Sequence, residues 1–330
     1  MSDLKIRLIK NNEFEDLMKL MNTAFSFVNE EEKFEHILPK LYFKDNKDMI
    51  HYGAFLDGVL VASVGLYFMT FKSKYSSLKV GCVGAVSTHP EYRKNGYFSL
   101  IMKKILSYAK KHDFDLLFLS GNRFRYNHFG FENGGRKMVI GVSRRTKHVL
   151  KSDEFEVLEL DRNNIDDINK CLSLYSKQPQ HILRTTDNFY NHVISWNCRP
   201  YIVKIAGEVV GYYSIKDNNH VCECVFKHKY LDTMLHACLA ERNEVYIELP
   251  YSVYSNKLVS KVDMYEIQYN LMYNVLNWES VQKYLGFDES KTAEFNKLSN
   301  KDKFRTLLGC DEFPSKFSKL NMFVYNCDQG

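Results

Sequence analysis

Val86-Ser87-Thr88-His89-Pro90-Glu91-Tyr92-Arg93-Lys94-Asn95-Gly96-Tyr97-Phe98 joins a strand-like run, Lys79–Ser87, to a helical pattern. That pattern places Phe98, Ile101, Met102, Ile105, Leu106, Tyr108 and Ala109 at helical spacing. A strand that enters a basic, glycine-containing turn and then a helix has a physical use. The first-turn amides of a helix lack internal partners, and the macrodipole makes that end positive. An anion, above all a pyrophosphate, fits there. Gly96 lets the backbone bend close to such a ligand, and Arg93 and Lys94 add charge. By itself the turn more often reads as a helix start with solvated bases, so the surrounding elements must carry the reading.

Upstream, Lys5–Ile9 alternates like a short strand. Glu13–Phe25 then sets Phe14, Leu17, Met18, Leu20, Met21 and Phe25 at helical spacing, and a second amphipathic stretch covers Glu31–Leu41. Met49–Leu56, the turn Asp57-Gly58 and Val59–Phe68 predict a hairpin. Downstream, Phe114–Leu119 reads as a buried strand, Gly121–Phe131 as a turn with a short helix, and Met138–Val142 as a further strand. Thr88-x-Pro90-x-Tyr92-Arg93-x-x-Gly96, the apolar helix, the buried strand and then Tyr126-Asn127-His128-Phe129-Gly130-Phe131-Glu132 resemble the GNAT family of acetyl-CoA-dependent N-acetyltransferases. The order β-α-α-β-β-β-α-β-α-β over Lys5–Val142 is similar to that fold, an α/β (α+β) architecture with a mixed central sheet flanked by helices. One position departs: the family pattern Q/R-x-x-G-x-G/A ends on a small residue, and Phe98 stands there. A bulky residue at that point resembles the tandem-domain subgroup typified by the enhanced-intracellular-survival acetyltransferases.

The resemblance implies a site. Val86, Ser87 and Thr88 would meet the pantetheine arm of acetyl-CoA, and a backbone amide there would stabilise the oxyanion. The amides of Lys94, Asn95, Gly96, Tyr97, Phe98 and Ser99 would surround the pyrophosphate, to which Arg93 would add charge, and Asn122 would touch the pantetheine. Tyr126 takes the position of the general acid, where a phenol suits protonation of a thiolate. In the subgroup the base is the C-terminal carboxylate, which would be that of Gly330, the residue after Asn326-Cys327-Asp328-Gln329. Otherwise the base would lie among Glu30, Glu31 and Glu32, which also read as a solvated helix start, or be an ordered water.

The second half repeats the first. Phe155–Leu160, Ile165–Tyr175, Tyr201–Ile205, the turn Ala206-Gly207, Val209–Ile215, Cys222–Phe226, Tyr230–Glu241 and Glu244–Leu249 follow the same order. The glycine turn is replaced by Phe226-Lys227-His228-Lys229-Tyr230. Two tandem copies are expected, the second without a cofactor motif. The expected domains are 1–145 (catalytic), 152–275 (degenerate copy) and 276–330, a cap resembling a shortened sterol-carrier region. The cap is expected to hold helices at Trp278–Leu285 and Lys291–Leu308 and a closing strand at Leu320–Tyr325.

Composition bounds what remains. A net charge of +5 over 330 residues is mild for a nucleic-acid binder, so the basic residues near Gly141–Ser152 read as a solvated linker. The longest apolar run, Val59–Phe71, falls short of a membrane span. No signal peptide is evident at the N-terminus, and eight cysteines without framework spacing read as free thiols, which together predict a cytoplasmic protein. His220, Cys222 and Cys224 share a strand face but find no fourth ligand, so no metal is expected. The expected activity is acetyl transfer from acetyl-CoA to a primary amine of a small molecule or peptide, with a homo-oligomer left open. The alternative is a non-catalytic acyl-CoA-binding sensor or scaffold protein.

Overall fold

The computed structural model describes residues 3–146, 150–240, 242–251, 258–309 and 324–329. The chain forms two compact units. The first holds Met1–Asn133, Leu271–Phe287 and Gln329–Gly330; the second holds Gly134–Asn270 and Asp288–Asp328. Residues 276–330 are therefore divided between the units.

The first unit opens with β1 (Leu4–Leu8), α1 (Phe14–Phe25) and α2 (Phe34–Ile37). Helix α2 is shorter than the amphipathic pattern of Glu31–Leu41 suggests. Glu30–Glu32 form a 3-10 turn, Lys33 is extended, and Pro39 disfavours helix in the residue before it. The hairpin of β2 (Met49–Leu56) and β3 (Val59–Ser73) turns on Asp57 and Gly58, whose φ values of 49° and 86° are those a two-residue I′ turn requires. Then follow β4 (Ser77–Thr88), α3 (Tyr97–Lys111), β5 (Leu116–Leu119) and α4 (Arg123–Tyr126). Ile101, Met102, Ile105 and Ala109 of α3 are buried and pack with Val64, Leu66 and Leu117 of the sheet. At roughly 1.5–3 kcal/mol per large aliphatic side chain, this face holds the helix in place.

In the second unit lie most of β6 (Glu132–Ser143) and then β7 (Glu156–Glu159), α5 (Ile165–Tyr175), β8 (Gln180–Ile182), α6 (Thr186–Val193), β9 (Arg199–Ile205), β10 (Glu208–Lys216), β11 (His220–Phe226), α7 (Leu231–Leu239) and β12 (Glu244–Pro250). The chain then re-enters the first unit along β13 (Met264–Val275) and continues into α8 (Trp278–Leu285). Helices α9 (Glu289–Asn296) and α10 (Asn300–Leu308) belong to the second unit. A single helix over Lys291–Leu308 is expected, but Ser299 takes an N-cap conformation, its hydroxyl accepting from the Asp302 amide, and splits it. Of the strand expected at Leu320–Tyr325, residues 320–323 lie outside the described residues, and Val324 and Tyr325 are not in a strand.

The strand order of the first unit is β1-β2-β3-β4-β5-β13, and that of the second is β7-β9-β10-β11-β12-β6. In each sheet one pair is parallel, β4 with β5 and β11 with β12, and the others are antiparallel. The tandem repeat is thus real, with one correction. The strand read at Met138–Val142 as closing the first copy pairs with β12 instead, Ile140 opposite Ile247. The closing strand of the first unit is the last part of β13, where Met272 faces Leu119 and Val275 faces Leu116.

Candidate active site

Strands β4 and β5 pair only over Val80–Leu116, Gly81–Leu117 and Cys82–Phe118. Beyond Cys82, β4 runs on to Thr88 along β3 alone, while β5 stops at Leu119. The register on β3 slips here: Gly65 faces Gly84, but Ser63 faces Ser87. The extra residue is a bulge with Ala85 at φ 46°, which re-aims the strand where its neighbour leaves it. Two parting parallel strands leave backbone groups of Val83–Thr88 without a ladder partner on one side.

The turn that follows is built for close backbone approach. Lys94 and Gly96 are left-handed, at φ 70° and 77°, and a Cβ added to Gly96 meets nothing within 4 Å. Ser99 and Leu100 donate to the Gly96 carbonyl, starting α3. Among the described residues, the amides of Lys94, Asn95, Gly96, Tyr97 and Phe98 meet no acceptor. A cleft of about 510 Å³ opens over them. Of the expected residues, Val86, Thr88, Arg93, Lys94, Asn95, Gly96, Tyr97 and Phe98 line it. Ser87, Ser99, Asn122 and Tyr126 are not on its wall. The Ser87 hydroxyl is buried and donates to the Ala85 carbonyl at 3.1 Å. Asn122 caps α4, accepting from the Phe124 amide at 2.8 Å.

Ala24, Phe25 and Arg125 also line the cleft with no sequence motif to mark them for it, as does Tyr92 of the turn motif. Arg93, expected as a phosphate ligand, is engaged elsewhere. Its guanidinium donates to the Ala24 carbonyl at 3.0 Å and to the Thr88 carbonyl at 3.5 Å. It thereby ties the end of α1 to the turn.

Tyr126 is 6% exposed and sits in an aromatic setting with Phe98, Phe129 and Phe131. Burial pushes its phenol above the ordinary tyrosine value, and the Arg125 cation opposes that rise only in part. The group is therefore protonated at neutral pH and able to donate. The short helix that carries it is braced by an ion pair of Arg123 with Glu132. Gly330 lies outside the described residues. Glu30 pairs with Lys33 and, at 3.7 Å, with His36, and the Lys33 ammonium holds its carboxyl below the ordinary glutamate value.

The second unit shows the same parting of strands without the cradle. Strands β11 and β12 pair only at His220–Tyr246 and Val221–Ile247. The first turn of α7, however, carries Asp232, which accepts from the Lys151 amide at 3.2 Å and pairs with the Lys261 ammonium. An acid already occupies the place that an anion would need. His220 contacts Glu248 at 3.2 Å, Cys222 packs with Cys198 and Cys327, and Cys224 contacts Cys238. Among the described residues no group of three or more His, Cys, Asp or Glu is arranged to hold a metal ion, and no helix is long and apolar enough to cross a membrane.

The family model of an acetyltransferase (GNAT) domain matches residues 5–134. No curated protein sequence matches the chain. Among solved structures, a probable N-acyltransferase from Enterococcus faecalis V583 is similar with a TM-score of 0.68 at 15% identity, over 86% of this chain and 74% of its own. Eis1 from Mycobacterium abscessus gives 0.62 at 14% identity, over 86% and 76%. A tandem GNAT protein from the clavulanic acid biosynthesis pathway gives 0.51 at 12% identity, over 82% and 97%. At such identities the likeness speaks for the fold, while the family model speaks for the first unit. The chain has the fold of tandem GNAT proteins, and the acetyltransferase (GNAT) domain model matches its residues 5–134.

Proposed function

We propose that the protein transfers an acetyl group from acetyl-CoA to a primary amine of a small molecule or peptide, by direct attack within a ternary complex. One observation carries this reading: the unpartnered amides of residues 94–98 face a cleft that begins where β4 and β5 part. An amide-lined turn with Lys94 at its edge suits a diphosphate, and the free edge of β4 suits an extended amide chain such as pantetheine. Backbone groups of Val86, Ser87 and Thr88 would hold that chain, and Asn122 would meet it from the other strand end.

In the reaction the amine nitrogen attacks the thioester carbonyl carbon, the oxyanion is stabilised by a β4 amide, and the C–S bond breaks as Tyr126 gives its phenolic proton to sulfur. The amine loses a proton in the same sequence. Tyr126→Phe tests the assignment. Acetyl-CoA affinity should stay unchanged while turnover falls roughly 10²–10⁴-fold, the scale of general acid catalysis. Unchanged turnover would leave Tyr126 a packing residue.

A further inference from the structure

Tyr126 stands at the end of α4, a helix of only four residues, so regular structure does little to fix its ring. The side chains around it do that instead. Phe98, in the first turn of α3, stands edge-on to Tyr126 with centroids 5.7 Å apart and planes at 84°. The same ring is edge-on to Phe129, at 5.5 Å and 88°. Phe131 adds a further edge contact with Tyr126 at 6.4 Å and 69°. Gly121 makes another wall: its φ is +146°, and a Cβ there would lie 2.7 Å from Tyr126 Cε2 and 3.4 Å from Cδ2. The Tyr126 ring therefore rests against bare backbone at a position where any side chain would displace it.

We propose that Phe98 and Gly121 are positioning residues, forming a slot that fixes the Tyr126 phenol for proton transfer, with Phe98 serving at once as a wall of the cleft and a wall of the slot. This rests on the reading of Tyr126 as the acid. A phenol free to swing about its two side-chain torsions reaches the sulfur only part of the time, and a misplacement of about 1 Å can cost on the order of 10²-fold in rate. The edge-to-face contacts remove that freedom before the cofactor arrives. The bulky residue at position 98 thus has a role of its own, since the first turn that offers its amides to the cleft also holds the acid.

The test is a double-mutant cycle of Phe98→Ala and Tyr126→Phe. It is read as thiol release from acetyl-CoA with polyamine and aminoglycoside acceptors, with acetyl-CoA affinity measured by calorimetry. With acetyl-CoA saturating, Phe98→Ala should lower kcat roughly 10–100-fold in the Tyr126 protein, yet less than about 3-fold when added to Tyr126→Phe. Equal losses in the two backgrounds would overturn the slot. Full activity in Tyr126→Phe alone would instead sink the acid assignment, and the slot with it. Gly121→Ala should repeat the Phe98→Ala pattern from the other wall, and Phe98→Leu should restore most of the rate if Phe98→Ala folds poorly. A readout free of turnover is the ring-flip rate of labelled Tyr126 by NMR. It should rise in Phe98→Ala, and an unchanged rate would contradict the proposal.

Discussion

His51 on β2 offers the sharpest test of the first unit's energetics. It is 4% exposed, and neither ring nitrogen has a hydrogen-bond partner. Its ring centroid lies 6.1 Å from that of Tyr42 and 6.0 Å from that of Tyr67, whose hydroxyls bond to each other rather than to it. Gly65 lies directly beneath, for a Cβ there would come within 2.7 Å of the imidazole. Burial with no compensating acceptor pushes the imidazole down to about 3. The sign follows from that depression. Above pH ~6.5 neither state binds the proton; below it the unfolded chain does and the fold does not, so stability falls with pH. The loss is about 1.4 kcal/mol per pH unit, or about 2.7 kcal/mol at pH 4.5 relative to neutral. His51→Leu removes that loss, and it removes two unsatisfied nitrogens whose burial costs about 1–3 kcal/mol at any pH. The assay is urea unfolding at pH 7.5 and 4.5, followed through Trp278 of the first unit with Trp196 replaced by phenylalanine. The difference between the two proteins cancels every other acid-sensitive group. If both lose the same stability between the two pH values, His51 is solvated or paired and the reasoning fails.

Two further outcomes follow from the second unit and the tail. Arg184 is buried and donates to both Glu223 oxygens at 2.8 and 2.7 Å and to Asp328 at 3.0 Å, so Arg184→Met strands two buried carboxylates. It should cost about 3–5 kcal/mol, read from the urea midpoint through Trp196, and a loss below ~1 kcal/mol would show that the carboxylates do not depend on it. If the Gly330 carboxylate takes the amine proton, appending a few residues after it should lower turnover sharply at constant acetyl-CoA affinity, whereas full activity of the extended protein would return that role to Glu30–Glu32 or an ordered water. Extension is a cleaner perturbation than deletion of residues 328–330, because deletion also removes Asp328 from Arg184, His192 and Tyr175.

Local signals were legible where the chemistry is local. Asp57-Gly58 announced its hairpin because both residues must take positive φ, and α5 and α8 have the bounds that their apolar spacing suggests. The turn before α3 was legible for the same reason: Gly96, with its positive φ, and the bases around it are neighbours in sequence. Long-range pairing was not. Tyr265, Ile267, Tyr269, Leu271, Tyr273 and Val275 alternate as a strand should, yet nothing in that period names β5 as a partner about 150 residues earlier. The pattern of Met138–Val142 likewise gave a strand but not its neighbour. Arg93 was read from its charge, whereas its partner, the Ala24 carbonyl, is a backbone atom with no sequence signature. Glu223 did leave a signal, since an acid inside His220-Val221-Cys222-Glu223-Cys224-Val225-Phe226 demands a buried cation, but only the fold identifies it as Arg184.

We propose the turn at Gly96 as the acetyl-CoA site for transfer to an amine. Calorimetric titration of acetyl-CoA into the wild-type protein and Gly96→Asp, paired with mass spectrometry of amines incubated with acetyl-CoA, tests it most directly. The wild type should show saturable binding and an N-acetylated amine. Gly96→Asp should fold but show no measurable binding, because a carboxylate would face the pyrophosphate. Near-normal affinity in Gly96→Asp, or no binding to the wild type at millimolar acetyl-CoA, would contradict it.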